Sequence, residues 1–136
     1  MQSKPQLRVL ACGGRDYADA KRVAWALEAL GTIEVLIEGG APRGADRLAA
    51  DWARSKGYRV ETYRAAWKDL TQPGRKIRYR QNGTAYDAAA GGRRNQRMLD
   101  EGRPDVVVAF PGGPGTADMV DRARKAGVHI LTVLAS

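Results

Sequence analysis

The chain has a single cysteine, Cys12, so no disulfide can form within it. It has one histidine, His129, and no Cys/His cluster at metal-ligand spacing, so neither a metal nor a cofactor is expected. No apolar run approaches the length of a membrane span, and no membrane partner is expected. The apolar stretch in MQSKPQLRVLACGG stops at glycines, short of the apolar core of a signal peptide, so cytoplasmic residence is the expectation. Internal repeats are absent. No G-x-S-x-G nucleophile elbow occurs. Gly44 is followed by Ala45-Asp46 rather than Lys and Ser/Thr, which argues against a Walker A ATPase. G-x-G-x-x-G is missing after the first predicted strand, which disfavours a nicotinamide or flavin dehydrogenase.

What remains is a globular composition with an unusual charge and glycine content. The length of 136 residues fits one domain, expected over 1–136, and 43% hydrophobic residues can build a core. The formal net charge is +8, which favours anionic partners such as nucleotides, nucleic acid or an acidic surface. The excess is concentrated in residues 64–103, where Arg64, Lys68, Arg75, Lys76, Arg78 and Arg80 precede Arg93, Arg94, Arg97 and Arg103.

Apolar runs and helical stripes alternate. Strands are predicted over Leu7–Cys12, Ile33–Ile37, Tyr58–Tyr63, Asp105–Phe110 and His129–Leu134. Helices are predicted over Asp19–Leu30, from Ala45 to a stop at Gly57, over Arg93–Glu101 and over Thr116–Ala126. Residues 65–92 carry Pro73, Gly74 and Gly83 and read as a long, partly ordered basic loop. The clearest strands are apolar on both faces. The fold class is therefore α/β: a Rossmann-like, doubly wound, mainly parallel five-stranded sheet with helices on both faces. Every strand then ends at one edge, where such sheets bind ligands.

Three glycine-rich turns should meet at that edge. Pro111-Gly112-Gly113-Pro114-Gly115-Thr116 offers bare backbone and a helix N-terminus, the parts of a phosphate seat or of a turn capped by Thr116. In Gly39-Gly40-Ala41-Pro42-Arg43-Gly44-Ala45-Asp46, Arg43 can pair with a phosphate; Asp46 can take a sugar hydroxyl or serve only the first helical turn. Gly13-Gly14-Arg15-Asp16 is the third turn; there Arg15 reads equally as a solvated charge, and Asp16 or Asp19 as a helix cap. The basic helix start Arg93-Arg94-Asn95-Gln96-Arg97-Met98 can clamp phosphate, with one of its arginines facing the edge and Met98 in the core. Cys12 reads as a small buried residue and His129 as a structural one. Trp25 and Trp52 read as packing or interface residues, and Trp67 either covers a base or joins the core.

On these residues the chain resembles the SLOG superfamily, and within it the YspA-like branch. The matching motifs are Gly14-Arg15-Asp16, Gly39-Gly40 with Arg43-Gly44-Ala45-Asp46, Trp67, Ala90-Gly91, Arg94-Asn95 with Met98, and Pro111-Gly112-Gly113 with Gly115-Thr116. Residues 68–84 look like a basic insertion relative to that branch. The resemblance implies a Rossmann-like sheet that binds a nucleotide or nucleotide derivative, and a homo-oligomer. Its LOG relatives hydrolyse the N-glycosidic bond of nucleoside 5′-monophosphates with an arginine and a Pro-Gly-Gly-x-Gly-Thr-x-x-Glu motif. Arg94 matches the arginine, but Met119 stands at the glutamate position, beside Asp118. A thioether cannot stabilise an oxocarbenium-like state or activate water, as a carboxylate can. Asp118 lies about 100° round the helix from Met119 and can replace the glutamate only if that face meets the ligand. Binding is therefore the leading expectation. A LOG-like phosphoribohydrolase using Asp118 and Arg94 is the first alternative. The second is DprA-like binding of single-stranded nucleic acid through the 64–103 region, where Arg75-Lys76-Ile77-Arg78-Tyr79-Arg80 interleaves cations with apolar and aromatic groups.

Overall fold

The computed structural model describes residues 6–135; the ends of the expected 1–136 domain lie outside the described residues. The elements are β1 (Leu7–Cys12), α1 (Ala20–Glu28), β2 (Ile33–Glu38), α2 (Ala45–Ser55), β3 (Arg59–Thr62), β4 (Ile77–Tyr79), β5 (Ala85–Asp87), α3 (Ala90–Asp100), β6 (Val106–Ala109), α4 (Pro114–Lys125) and β7 (His129–Thr132). Five strands form a wholly parallel sheet in the order β3-β2-β1-β6-β7.

The pleat divides each strand between two cores. Val9, Ala11, Leu36, Val106 and Val108 pack under α1 and α2, against Val23, Leu27 and Ala49. Leu10, Val35, Ile37, Val107 and Ala109 pack on the other face, against Met98 and Leu99 of α3 and Met119 and Ala123 of α4. Burying each large aliphatic side chain contributes about 1.5–3 kcal/mol, which is why central strands with two apolar faces hold this arrangement. Trp52 joins this packing, its ring 5.8 Å from that of Tyr58. Trp25 does not, being 61% exposed.

From β1 the chain winds outward through β2 and β3, and from β6 outward through β7 in the opposite direction. The neighbouring ends of β1 and β6 thus form a topological switch point, where a crevice opens above the sheet.

The segment expected to be a loop is different. Residues 77–79 and 85–87 pair as an antiparallel hairpin, Ile77 opposite Asp87 and Tyr79 opposite Ala85. The Ala88 amide closes the foot of the hairpin on the Lys76 carbonyl, and the Asp87 amide ties it to the Trp67 carbonyl, both at 2.8 Å. Helix α3 begins at Ala90, a turn before the expected Arg93, because Ala90 is buried and Gly91 lies close under the Trp67 ring. Helix α4 begins at Pro114, where a missing N–H costs nothing, so Gly113 and not Thr116 is its N-cap.

Candidate functional site

The three glycine-rich turns are hydrogen-bonded to one another. The Gly14 amide donates to the Pro111 carbonyl (2.9 Å), and the Gly14 carbonyl accepts from the Ala45 amide (3.1 Å). Beside them a cleft of about 930 Å³ opens at the C-terminal edge of the sheet.

Of the residues expected at a site, Gly14 and Arg15 line the cleft from the β1 turn, and Gly39, Gly40 and Asp46 from β2 and α2. Arg94 and Asn95 line it from α3, and Gly113, Gly115 and Thr116 from the head of α4. Asp118 faces the cleft too, whereas Met119 is buried in the core against the sheet. Pro111 and Gly112 lie just outside the wall. A Cβ on Gly112 would overlap the Thr116 hydroxyl and come within 2.7 Å of the Gly14 amide nitrogen, so that glycine serves loop packing. Gly44 is likewise buried against the β1 turn. Asp16 and Arg43 pair with each other at 3.2 Å on the exposed rim, 94% and 69% accessible. The helix cap of α1 is Asp19, which accepts from the Arg22 amide.

The α4 head is open. A Cβ at Gly113 or Gly115 would meet nothing within 4 Å, and neither glycine has a left-handed backbone. The fold itself does not require glycine at these two positions. The first bond of the helix runs from the Ala117 amide to the Gly113 carbonyl (3.1 Å). The Gly115 and Thr116 amides precede it and have no backbone acceptor among the described residues.

A polar chain joins α3 to α4 across the cleft floor. The Arg94 guanidinium donates to the Gly39 carbonyl (2.7 Å) and to Asn95 Oδ1 (2.9 Å). Asn95 donates to Asp118 Oδ2 (3.0 Å) and the Gly115 carbonyl (3.3 Å), and Arg122 Nε donates to the same Asp118 oxygen (2.8 Å). Burial pushes the Asp118 carboxyl up, but the hydrogen bonds from Arg122 and Asn95 outweigh it and hold it below its ordinary value. Burial also pulls Arg94 down, opposed by the charge of Asp46. Of the three arginines at the start of α3, Arg94 is the one at the cleft. Arg93 is paired to Asp87, and Arg97 to Glu101.

Three lining or underlying residues were not singled out from sequence. Glu38 is buried under the β2 turn, accepting from the Gly40 amide (2.7 Å) and, over a short contact, from Thr62. Arg64 hangs over the turn, donating to the Gly40 carbonyl (3.1 Å). Arg122 had a legible signal, its i,i+4 spacing from Asp118. Trp67 is the sole aromatic in the cleft wall among the described residues. Cys12 is buried beneath it, its thiol pushed up to about 12 by burial and by Asp46.

Asp46 is the titrating group of the site. Burial, then the charge of Glu38, raises its carboxyl from 3.8 to about 6, against the pull of the Ala41 amide and Arg94. Between those two values the folded protein keeps a proton that the unfolded chain has lost. Stability should therefore fall as pH rises from about 4 to above 6, by on the order of 3 kcal/mol for this group. Asp46→Asn should flatten that slope in urea unfolding at pH 4.5 and 7.5. An unchanged slope would place the titration elsewhere.

Residues 7–69 match the family model described as YAcAr: YspA, cpYpsA-related SLOG family. The match spans β1 to the segment after β3 and ends before the hairpin, α3 and α4. Comparison with curated proteins gives no match.

Proposed function

We propose that the cleft binds a nucleotide or nucleotide derivative, in keeping with the match of residues 7–69 to the model of the YspA, cpYpsA-related SLOG family. The phosphate sits against the Gly115 and Thr116 amides at the head of α4. Arg94 supplies the counter-charge, Asp46 accepts from a ribose hydroxyl, and Trp67 flanks the base. The observation that carries this reading is the pair of glycines at 113 and 115, which the fold does not need and which leave the helix's unpaired donors bare toward the cleft.

The reading predicts two effects of opposite sign from one substitution. Gly115→Ala adds a methyl group in open space within α4, so the free protein should gain roughly 0.5–1 kcal/mol. Because a helical Cβ tilts toward the N-terminus, the same methyl stands beside the phosphate's approach. Thermal shift against a panel of nucleoside monophosphates should then show a higher melting point without ligand and a smaller rise with it. If the variant keeps the full ligand-induced rise, the phosphate is not at this helix. Free base should not appear in the wild-type incubations. If it does, the site is a hydrolase with Asp118 as the carboxylate to test by substitution.

A further inference from the structure

The cleft carries more positive charge than one phosphate would use. Arg15, Arg64, Lys76, Arg94 and Arg122 line it, against two carboxylates, Asp46 and Asp118. One of those, Asp118, is already paired with Arg122. Among the described residues none of Arg15, Arg64, Lys76 and Arg94 takes part in a salt bridge. Several cations elsewhere do have a carboxylate: Arg8 bridges both Glu34 and Glu61, and Arg47, Arg59 and Lys125 each have one. Other cations among the described residues are unbridged too, Lys21, Arg22 and Arg103 among them, but those of the cleft face one shared space.

The cations are also arranged in two places. Arg94 reaches from α3 to the Gly39 carbonyl, next to the Asn95 that binds the first turn of α4. Arg64, from the segment after β3, holds the adjacent Gly40 carbonyl, and Lys76 joins it in the wall from the foot of the hairpin. Two guanidinium groups fixed on consecutive carbonyls repel each other until an anion comes between or beside them. The volume of about 930 Å³ lies near the top of the range for small-molecule sites, roughly 300–1,000 Å³. A nucleoside monophosphate has no second phosphoryl group to offer Arg64 and Lys76.

We propose that the ligand carries two phosphoryl groups held apart by a nucleoside unit, one at the head of α4 beside Arg94 and one on the wall built by Arg64 and Lys76. A nucleoside 3′,5′-bisphosphate and a 5′-phosphorylated dinucleotide both have this chemistry. The inference rests on the nucleotide-binding reading above and adds the second anionic group to it.

Titration calorimetry at fixed salt tests it with four sets of probes: nucleoside 5′-monophosphates of the common bases, the corresponding 3′,5′-bisphosphates, 5′-phosphorylated dinucleotides, and a 12-nucleotide single strand. At least one doubly phosphorylated probe should bind about tenfold or more tightly than its monophosphate, and affinity should rise no further with the 12-mer. The Arg64→Ala/Lys76→Ala double variant should bring the two classes within about twofold of each other. Lys76→Ala alone, at an exposed side chain, should remove part of the gain and guards against a folding defect. Equal affinity of both classes for the wild-type protein would overturn the second site while leaving the first. So would a gain that survives the double variant. A steady rise in affinity up to the 12-mer would overturn it in favour of a polymer-binding surface. If no probe binds, monophosphates included, the nucleotide reading of the cleft itself falls.

Discussion

Gly44→Ala should cost the protein about 3–5 kcal/mol, enough to unfold much of a domain whose total stability is on the order of 5–15 kcal/mol. Two effects add. Gly44 has φ +87° and ψ −155°, a conformation that belongs to glycine almost alone. A Cβ there would also be driven into the backbone of Gly14 and Arg15, which cannot swing aside as a flexible side chain can. The Gly14 carbonyl that would be displaced accepts the Ala45 amide at the start of α2, and the Gly14 amide holds the Pro111 carbonyl. The damage should therefore spread to all three turns, so that any variant that does fold also loses the nucleotide binding proposed for the cleft. Urea unfolding followed by circular dichroism reads the first effect, and titration of the folded fraction the second. A midpoint near that of the wild type would mean that the two loops are not packed as described.

Asp87→Ala should release the hairpin without melting the sheet. The Asp87 side chain is fully buried and accepts from the Lys76 and Ala89 amides, both at 2.9 Å, and from the Arg93 guanidinium over a short contact. The hydrogen bond from Arg93, followed by that from the Lys76 amide, holds this carboxyl below its ordinary value, so it remains ionised at neutral pH. Alanine leaves two amides and a half-buried cation without their acceptor, all within the hairpin and its junction with α3. None of those groups belongs to the two hydrophobic cores. Trypsin should cut after Arg75, Lys76, Arg78 or Arg80 at least about tenfold faster in the variant, since proteolysis follows the population of the open segment. The far-ultraviolet helical signal should persist. Cleavage at the wild-type rate would show that something other than Asp87 fastens the hairpin.

The sheet was readable because Val9, Leu10, Val35, Leu36, Val107 and Val108 have to be buried whichever way the strand is turned. The hairpin was not readable, for the converse reason. Ile77 and Tyr79 are 37% and 71% exposed, so its first strand has no buried face, and the only buried residue of its second is the charged Asp87. What orders it is one buried carboxylate whose donors come from eleven residues upstream and six downstream, and no local pattern encodes that.

The glycine-rich turns were legible as a meeting point, but the purpose of each glycine was not. Gly44 and Gly112 are small so that loops can touch, while Gly113 and Gly115 are small beside open space. Sequence alone treats all four alike. Arg94 lines the cleft. Asp16 and Arg43, equally polar and equally near a glycine, satisfy each other on the rim. Asp118 illustrates a limit of aligning by motif. The side chain at the motif position, Met119, fills the core, and its neighbour carries the charge toward the cleft.

The hairpin is spliced into the single connection that carries the chain from one half of the sheet to the other, between β3 and α3. That connection lines part of the cleft wall, through Arg64, Trp67 and Lys76, without contributing a strand to the five-stranded sheet. Exchanging its length or its charged residues would reshape that wall while leaving the hydrophobic scaffold as it was. Part of the cleft wall thus lies on a stretch of polypeptide that neither hydrophobic core requires.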